Sequence, residues 1–223
     1  MDKLIKLLFS STSKDSLILL SGSFIQVILS FVLVYILTHN LSPSDFGLFI
    51  TALTFSQLIV DVFSLGINIS LMNYIPLSKP KEKLEIITTS FWIRVISSSV
   101  ICSIIFLLSK NISLVFLNNL NLEILVKYSS LGIFLTMIVF WGQAVFQAEK
   151  KFITSSMIYV LFNLLRVVSI CILLYFGFFS LKNSYFGIQL VIIIVNLIIL
   201  YKLRINFKFN KDLTLKILRF GFP

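Results

Sequence analysis

Five polar residues recur inside one long apolar stretch, residues 41–76, and offer the clearest chemistry in the chain: Thr54, Gln57, Asp61, Ser64 and Asn68. They follow one another at steps of three, four, three and four residues, the spacing that places side chains on one face of an α-helix. The apolar part, residues 46–75, is long enough to cross a bilayer core, which needs about 20 residues. Lipid cannot solvate a row of hydroxyl, amide and carboxylate groups. The spacing therefore predicts one continuous membrane helix whose hydrophilic face is turned to other helices or to a hydrated cavity.

This hydrophilic face has two interpretations. Hydroxyl and amide side chains commonly hydrogen-bond between neighbouring membrane helices, and such packing is the expectation for Thr51, Thr54 and Ser64. A carboxylate at the middle of a bilayer is unfavourable by about 2.5–3.5 kcal/mol even on the more lenient insertion scale. Asp61 is therefore expected to line a cavity. For the two amides of the row, substrate contact and interhelical hydrogen bonding stay equal alternatives.

Composition places the row in a protein with several membrane spans. Of 223 residues, 58% are hydrophobic and 13% are charged, and the mean hydropathy is +1.02. A soluble domain carries about 25% charged residues, so a soluble class is excluded. The formal net charge of +10 does not indicate a nucleic-acid partner, because the basic residues lie at the ends of apolar runs, where they report topology. The expected partner is the lipid bilayer.

Six apolar runs predict an all-α membrane protein, an up-and-down bundle of six transmembrane helices. The predicted spans are residues 16–37, 41–76, 84–108, 122–148, 152–176 and 185–203. Asp15 is the predicted N-cap of the first span. The predicted organisation is an interfacial segment at residues 1–14, a six-helix lobe at residues 15–203 and a basic lead-in to a further helix at residues 204–223.

Basic residues in the connections predict the orientation. One set of connections contains several lysines, whereas the opposite set contains only Lys110 and Lys182. The lysine-rich set includes Lys79, Lys81, Lys83, Lys150 and Lys151. Because positive charge is retained on the cytoplasmic side, we expect a multi-pass protein of the plasma (inner) membrane with a cytoplasmic N-terminus.

Two arginines interrupt the predicted spans. Arg94 lies in the third span and Arg166 in the fifth, and both are candidates to bind an anionic group. Arg94 and Asp61 lie at similar depths on spans joined by a short connection. We therefore expect them to form an ion pair, which would leave Arg166 as the freer cation.

No pattern in the chain predicts an enzyme. The connections are too short for a catalytic domain, and no phosphate-binding glycine loop or Ser/His/Asp set is present. The only histidine, His39, lies at the end of the first span, where a solvated position is expected. The two cysteines lie inside apolar runs and suggest neither a disulfide nor a metal site, so no cofactor is expected.

Four short motifs resemble the polysaccharide flippases of the multidrug/oligosaccharidyl-lipid/polysaccharide exporter superfamily. They are LSPSDFGL at residues 41–48, SLGI at residues 64–67, FQAEKKF at residues 146–152 and LRFGFP at residues 218–223. The motifs follow in the order of that family and span the chain. The family often has Asp where Ser64 stands and Arg where Asn73 stands, so roles at those two positions are not carried over.

The resemblance implies one six-helix lobe of a two-lobe transporter, with the C-terminal lobe missing from this sequence. It also implies alternating access and a polyprenyl-pyrophosphate-linked oligosaccharide substrate, moved from the inner to the outer leaflet. The cavity candidates are Arg166, Arg94 and Asp61, together with the amides Gln26, Gln57, Asn68 and Asn163. The alternatives are a multidrug or peptidoglycan-precursor exporter of the same superfamily, or a membrane scaffold that does not transport.

Overall fold

The computed structural model of the chain describes residues 11–64, 66–203, 205, 213 and 214, with side chains from residue 15 onward. Within these residues the secondary structure is helical. The predicted interfacial segment, residues 1–14, and the predicted basic lead-in, residues 204–223, lie largely outside the described residues.

Within the described residues there are eight longer helices, and they confirm the prediction of six membrane-spanning stretches in an all-α fold. They are α1 (Ser11–Asn40), α2 (Pro43–Val62), α3 (Ile67–Tyr74), α4 (Pro80–Leu107), α5 (Glu123–Ala148), α6 (Phe152–Tyr175), α7 (Leu181–Leu190) and α8 (Ile192–Leu203). Six stretches are long and apolar enough to cross a membrane, the sixth being formed by α7 and α8 together. Short helical segments at Ser109–Asn111, Ile112–Phe116 and Leu120–Leu122 connect α4 to α5.

Local sequence explains several helix ends. The Ser42 hydroxyl accepts a hydrogen bond from the Asp45 amide at 3.1 Å, and Pro43 occupies the first turn of α2, where its missing N–H has no consequence. The Ser180 hydroxyl accepts from the Asn183 amide at the start of α7 in the same way. The predicted Asp15 cap is wrong, because α1 already begins at Ser11 and Asp15 lies inside the helix.

The second predicted span is not one helix. It is interrupted after α2, and Gly66 adopts a left-handed backbone conformation with φ 60° before α3 begins at Ile67. Glycine reaches this region without the steric penalty that a Cβ imposes. The interruption ends the regular face on which the five polar residues were predicted to lie.

Helix α5 is the centre of the bundle. It packs against α2, α3, α4, α6, α7 and α8, and its side chains are buried around most of its circumference. Two glycines permit the close approach of the sixth span. A Cβ at Gly132 would collide with the Gln189 side chain, and a Cβ at Gly142 would meet Ile199.

The apolar interior forms two clusters that meet along α5. One cluster includes Ile67 and Leu71 of α3 together with Trp141 and Leu203. The other includes Phe49 and Ala52 of α2, together with Ile133 and Tyr185. The two halves of the second span therefore pack into different cores.

Candidate functional site

A cleft of about 280 Å³ opens between α2, α5, α6 and α7. Its polar lining consists of Thr54, Ser56 and Gln57 from α2, Thr136 from α5, Arg166 from α6 and Gln189 from α7. Its apolar lining consists of Ile50, Leu53, Val60, Gly132 and Ile133. A cleft with this mixture of one cation and several neutral hydrogen-bonding groups suits a polar, anionic ligand better than an apolar one.

Among the residues that the structure describes, Arg166 is the only charged one that lines this cleft. Its guanidinium carbon lies 4.1 Å from the centre of the Phe162 ring, an arrangement that fixes a cation by its attraction to the ring face. It forms no ion pair with any residue that the structure describes, and its Nε is buried without a hydrogen-bond partner. The guanidinium therefore retains donors for a ligand, and its planar fork matches the oxygens of a phosphate.

The buried side chain of Tyr185 connects three spans beside the cleft. The Tyr185 hydroxyl lies 2.6 Å from the Ser129 hydroxyl of α5 and 3.0 Å from the Ser56 hydroxyl of α2. Tyr185 is fully buried and its ring meets Phe49 edge to face, with centroids 5.3 Å apart. Because both serines also bond to carbonyls of their own helices, the junction satisfies its donors internally. The junction positions the wall of the cleft, and the residues around the junction are the ones available to contact a ligand.

The close contact at Gly132 shapes the same wall. Gln189 is almost fully buried, and its amide occupies the space that any larger residue at position 132 would fill. The glycine thus allows the Gln189 amide to reach the cleft between α5 and α7. Thr136, one turn further along α5, adds a hydroxyl to the same lining.

The acidic residue of the predicted row lies beside the cleft. The Gln57 amide donates to Asp61 Oδ1 at 2.9 Å, and both side chains are exposed. Asp61 does not itself line the cleft, but it is one hydrogen bond away from a residue that does. Thr54, expected to serve in packing, lines the cleft. Thr51 is exposed and donates to the Gly47 carbonyl at 2.8 Å.

Arg94 is held at the interruption of the second span. Its guanidinium donates to the Ser64 carbonyl at 2.8 Å, to Asn68 Oδ1 at 3.2 Å and to the Phe63 carbonyl at 3.4 Å. Carbonyls at the end of a helix lack intrahelical partners and carry partial negative charge, so a buried cation is well matched to them. Arg94, itself bonded to Asn68, thus supplies hydrogen bonds to carbonyls at the interruption.

The predicted Asp61–Arg94 ion pair is wrong. The two groups have different partners, since Asp61 accepts from Gln57 and Arg94 bonds to the interruption. The prediction assumed a continuous helix, in which Asp61 would face the third span. Instead α4 meets the second span through α3, after the chain has changed direction at Gly66.

Gln26 and Asn163 lie along the seam between α1 and α6. Gly22 of α1 packs directly against Ser156, and the Ser30 hydroxyl lies 3.5 Å from Asn163 Oδ1. Gln26 is half-buried and lies between Gly22 and Ser30 on the same helix face. The structure thus brings Gln57 and Arg166 together at the cleft and places Arg94 with Asn68, and Gln26 with Asn163, in two other regions.

Six polar or glycine residues of the cleft or junction were not candidate site residues from the sequence: Ser56, Ser129, Gly132, Thr136, Tyr185 and Gln189. A tyrosine and small residues inside apolar runs were the available signals. Those signals identify polar contacts between helices. They do not identify which spans are neighbours, and the junction depends on that arrangement.

A family model and several solved structures are similar to this chain. The model of the polysaccharide biosynthesis protein family matches residues 12–223. A MOP superfamily transporter from Pyrococcus furiosus has a TM-score of 0.77 and 18% identity, covering 97% of this chain and 53% of that chain. An outward-facing multidrug resistance MATE family transporter of the MOP superfamily has a TM-score of 0.74 and 18% identity, with 92% and 49% covered. A MATE structure in complex with MaD3S has a TM-score of 0.76 and 19% identity, with 97% and 54% covered.

The structural matches show that the chain has the same fold as about half of each of these transporters. The chain spans about half the length of the solved structures it matches. Comparison with curated protein sequences gives no match.

Proposed function

The chain belongs to the polysaccharide biosynthesis protein family, and from that membership we propose that it forms one lobe of an exporter-type membrane transporter. The substrate that we propose is a polyprenyl-pyrophosphate-linked oligosaccharide, moved from the inner to the outer leaflet. A second six-helix lobe of the same transporter is the proposed partner. Transport proceeds by alternating access, in which the two lobes rock about a central site.

The observation that carries this proposal is the lining of the cleft. A lipid-linked glycan presents a diphosphate beside sugar hydroxyls, so its site needs a cation next to neutral hydrogen-bonding groups. Arg166 supplies the cation, and Gln57, Gln189 and Thr136 supply amide and hydroxyl groups around it. In the low-dielectric environment of a membrane, a guanidinium without an ionic partner binds phosphate more strongly than in water.

Arg166 provides the direct test. In the intact protein reconstituted in vesicles, we expect Arg166→Ala to lower the transport rate of a lipid-linked oligosaccharide by at least about tenfold, the loss of one charge-assisted contact. Arg166→Lys keeps the charge but not the bidentate geometry, so its rate should lie between those of Arg166→Ala and the unaltered protein. Lys182→Ala is the matched control, because it removes a cation at the start of α7 outside the cleft. Unchanged transport in both Arg166 variants at normal expression would eliminate the role.

One observation favours a second candidate, a cation-coupled exporter of other substrates. Asp61 provides an exposed carboxylate beside Gln57, and a carboxylate within a span suits coupling to a proton or another cation. If this second candidate holds, Asp61→Asn abolishes ion-dependent export of a drug-like cation and Arg166→Ala leaves it intact. The flippase proposal predicts instead that Arg166→Ala lowers glycan transport more than Asp61→Asn does.

The proposed direction of transport depends on a cytoplasmic N-terminus. Ser44 and Asn183 are exposed at the starts of α2 and α7, and both are expected to face outward. With Cys102 and Cys171 replaced, a cysteine introduced at either position should react with an impermeant reagent in intact cells. A cysteine introduced at Lys81 should react only after permeabilisation. The reverse pattern would overturn the orientation.

A further inference from the structure

A second cleft, of about 550 Å³, lies where α4 begins and where α5 and α8 end. It is lined by Pro80, Lys83, Leu84, Ile87, Glu149, Lys151, Lys202 and Leu203, and we call it the interfacial lysine cleft. Three candidate membrane spans have their ends here, at Pro80, Ala148 and Leu203. The cleft therefore lies at the level where hydrocarbon gives way to lipid head groups.

Its lysines are held in place by one carboxylate. Lys83 Nζ lies 2.8 Å from Glu149 Oε1, and Lys151 Nζ lies 2.7 Å from Glu149 Oε2. The backbone supports this arrangement, because the chain turns sharply after α5 with Lys150 at φ 59° and the Lys151 amide bonded to the Phe146 carbonyl at 2.8 Å. The turn fixes Glu149 and Lys151 opposite the first turns of α4.

The cleft has more positive than negative charge. Burial raises the pKa of the Glu149 carboxyl, but the hydrogen bonds from Lys151 and Lys83 outweigh that effect and the pKa lies below its ordinary value. One ionised carboxylate thus faces three lysines, an excess of two positive charges. Lys202 makes no ion pair among the residues described by the structure. It is exposed at the end of α8.

The remaining lining is apolar and continues toward the membrane. Leu84 and Ile87 lie one turn apart on α4, and Leu84 is 38% exposed. An ionic site that opens directly onto exposed leucine at the edge of a span matches a molecule with a charged head and an alkyl chain. A soluble phosphate compound would use the lysines and make no use of this wall.

We propose that the interfacial lysine cleft binds the head group of an anionic phospholipid, with its phosphate among Lys83, Lys151 and Lys202 and an acyl chain along Leu84. Basic pockets between membrane helices are a recurrent way of binding such head groups. This inference is independent of the glycan substrate, because Lys151 directly precedes α6, whereas Arg166 lies about 21 Å further along that helix at 1.5 Å per residue.

Lys202→Gln is the sharpest variant, because it removes one positive charge without breaking an ion pair within the described residues. Native mass spectrometry of the intact purified protein would measure binding of phosphatidylglycerol and of phosphatidylcholine. We expect Lys202→Gln to weaken phosphatidylglycerol binding about fivefold, the usual contribution of one lysine near an anionic head group. Lys81→Gln is the matched control: Lys81 is exposed at the same end of the molecule and lies outside the cleft lining, so its loss should change binding less than twofold.

A second variant tests the acyl contact. Leu84→Asn should weaken phosphatidylglycerol binding. It should leave the affinity for inorganic pyrophosphate, measured by competition, unchanged. Melting temperatures of all variants in phosphatidylcholine would show that each still folds. If Lys202→Gln and Lys81→Gln weaken phosphatidylglycerol binding equally, the lipid is attracted by the basic surface as a whole, and the proposed site is overturned. Equal retention of phosphatidylglycerol and phosphatidylcholine, or a Leu84→Asn variant that binds lipid normally, would overturn it as well.

Discussion

Replacing Arg94 by methionine should destabilise the protein, whereas the same replacement at Arg166 should leave it nearly as stable. Arg94→Met removes two short hydrogen bonds, to the Ser64 carbonyl at 2.8 Å and to Asn68 Oδ1 at 3.2 Å, and one long one to Phe63. Hydrogen bonds to charged groups contribute about 1.5–3 kcal/mol each. Bonds between membrane helices average only about 0.6 kcal/mol. Between these limits, we expect a loss of about 2–3 kcal/mol.

Thermal unfolding of the purified intact protein would measure this loss. For a domain of this size, about 2–3 kcal/mol lowers the melting temperature by about 5–10 °C. Arg166→Met removes only a contact with the Phe162 ring among the described residues, worth about 0.5–1 kcal/mol, so its melting temperature should fall by about 3 °C or less. Arg94→Lys retains the charge but not the fork of donors, and its melting temperature should lie between those of Arg94→Met and the unaltered protein.

The transport rate should rank the two arginines in the opposite order. At a temperature where both proteins are folded, Arg166→Met should lose most of its transport, and Arg94→Met should retain more. If Arg94→Met is as stable as the unaltered protein, the structural role of Arg94 at the helix interruption is refuted; if Arg166→Met is destabilised as much as Arg94→Met, Arg166 is not the freer cation. Greater loss of transport in a folded Arg94→Met would instead place Arg94 in the substrate path.

Three further predictions concern helix contacts and one connection. Tyr185→Phe removes the hydroxyl that bonds to α2 and α5 and should lower stability by about 1 kcal/mol. Tyr201→Phe, at a residue that is 85% exposed, is the control and should have no measurable effect. Equal melting temperatures of the two variants would refute the junction. Gly22→Ala forces a Cβ against α6 and should lower stability by about 1–3 kcal/mol, while Gly47→Ala meets open space and should be neutral or slightly stabilising. Glu149→Gln should be less stable than the unaltered protein at neutral pH and equally stable at acid pH. Hydrogen bonds from Lys151 and Lys83 hold the folded-state pKa of this carboxyl below its ordinary value, so its stabilising effect is present above the ordinary pKa and disappears as the pH falls through the lowered one. A melting-temperature difference that persists at acid pH would contradict this account.

Hydropathy was sufficient to predict the spans, because a segment that crosses lipid must bury its backbone polar groups and present apolar side chains. The six predicted spans agree with the helices within a few residues, apart from the second and the sixth. His39 is exposed at the end of α1, where its Nδ1 lies 3.0 Å from the Tyr35 carbonyl, and its solvation stays a prediction. These are properties of single segments, which local sequence determines.

The interior contacts were less predictable, because they depend on where a helix stops and on which helices become neighbours. Periodicity treated Asp61 and Asn68 as members of one face, although Gly66 between them was a signal that the helix could be interrupted. The charge pair with Arg94 failed for the same reason. The Tyr185 junction joins three spans that are distant in sequence, and no spacing rule within one chain segment indicates it.

The interruption at Gly66 also separates the two halves of the second span mechanically. Helix α2 is packed with the core around Tyr185, and α3 is packed with the core around Trp141. Among the described residues, α2 ends at Val62 and α3 begins at Ile67, so a rotation or a sliding movement of one half of the span is not transmitted to the other half by a single continuous helix. The wall beside Arg166 and the region around Lys83 and Glu149 are therefore connected through the unbroken helices α4, α5 and α6 and not through the second span.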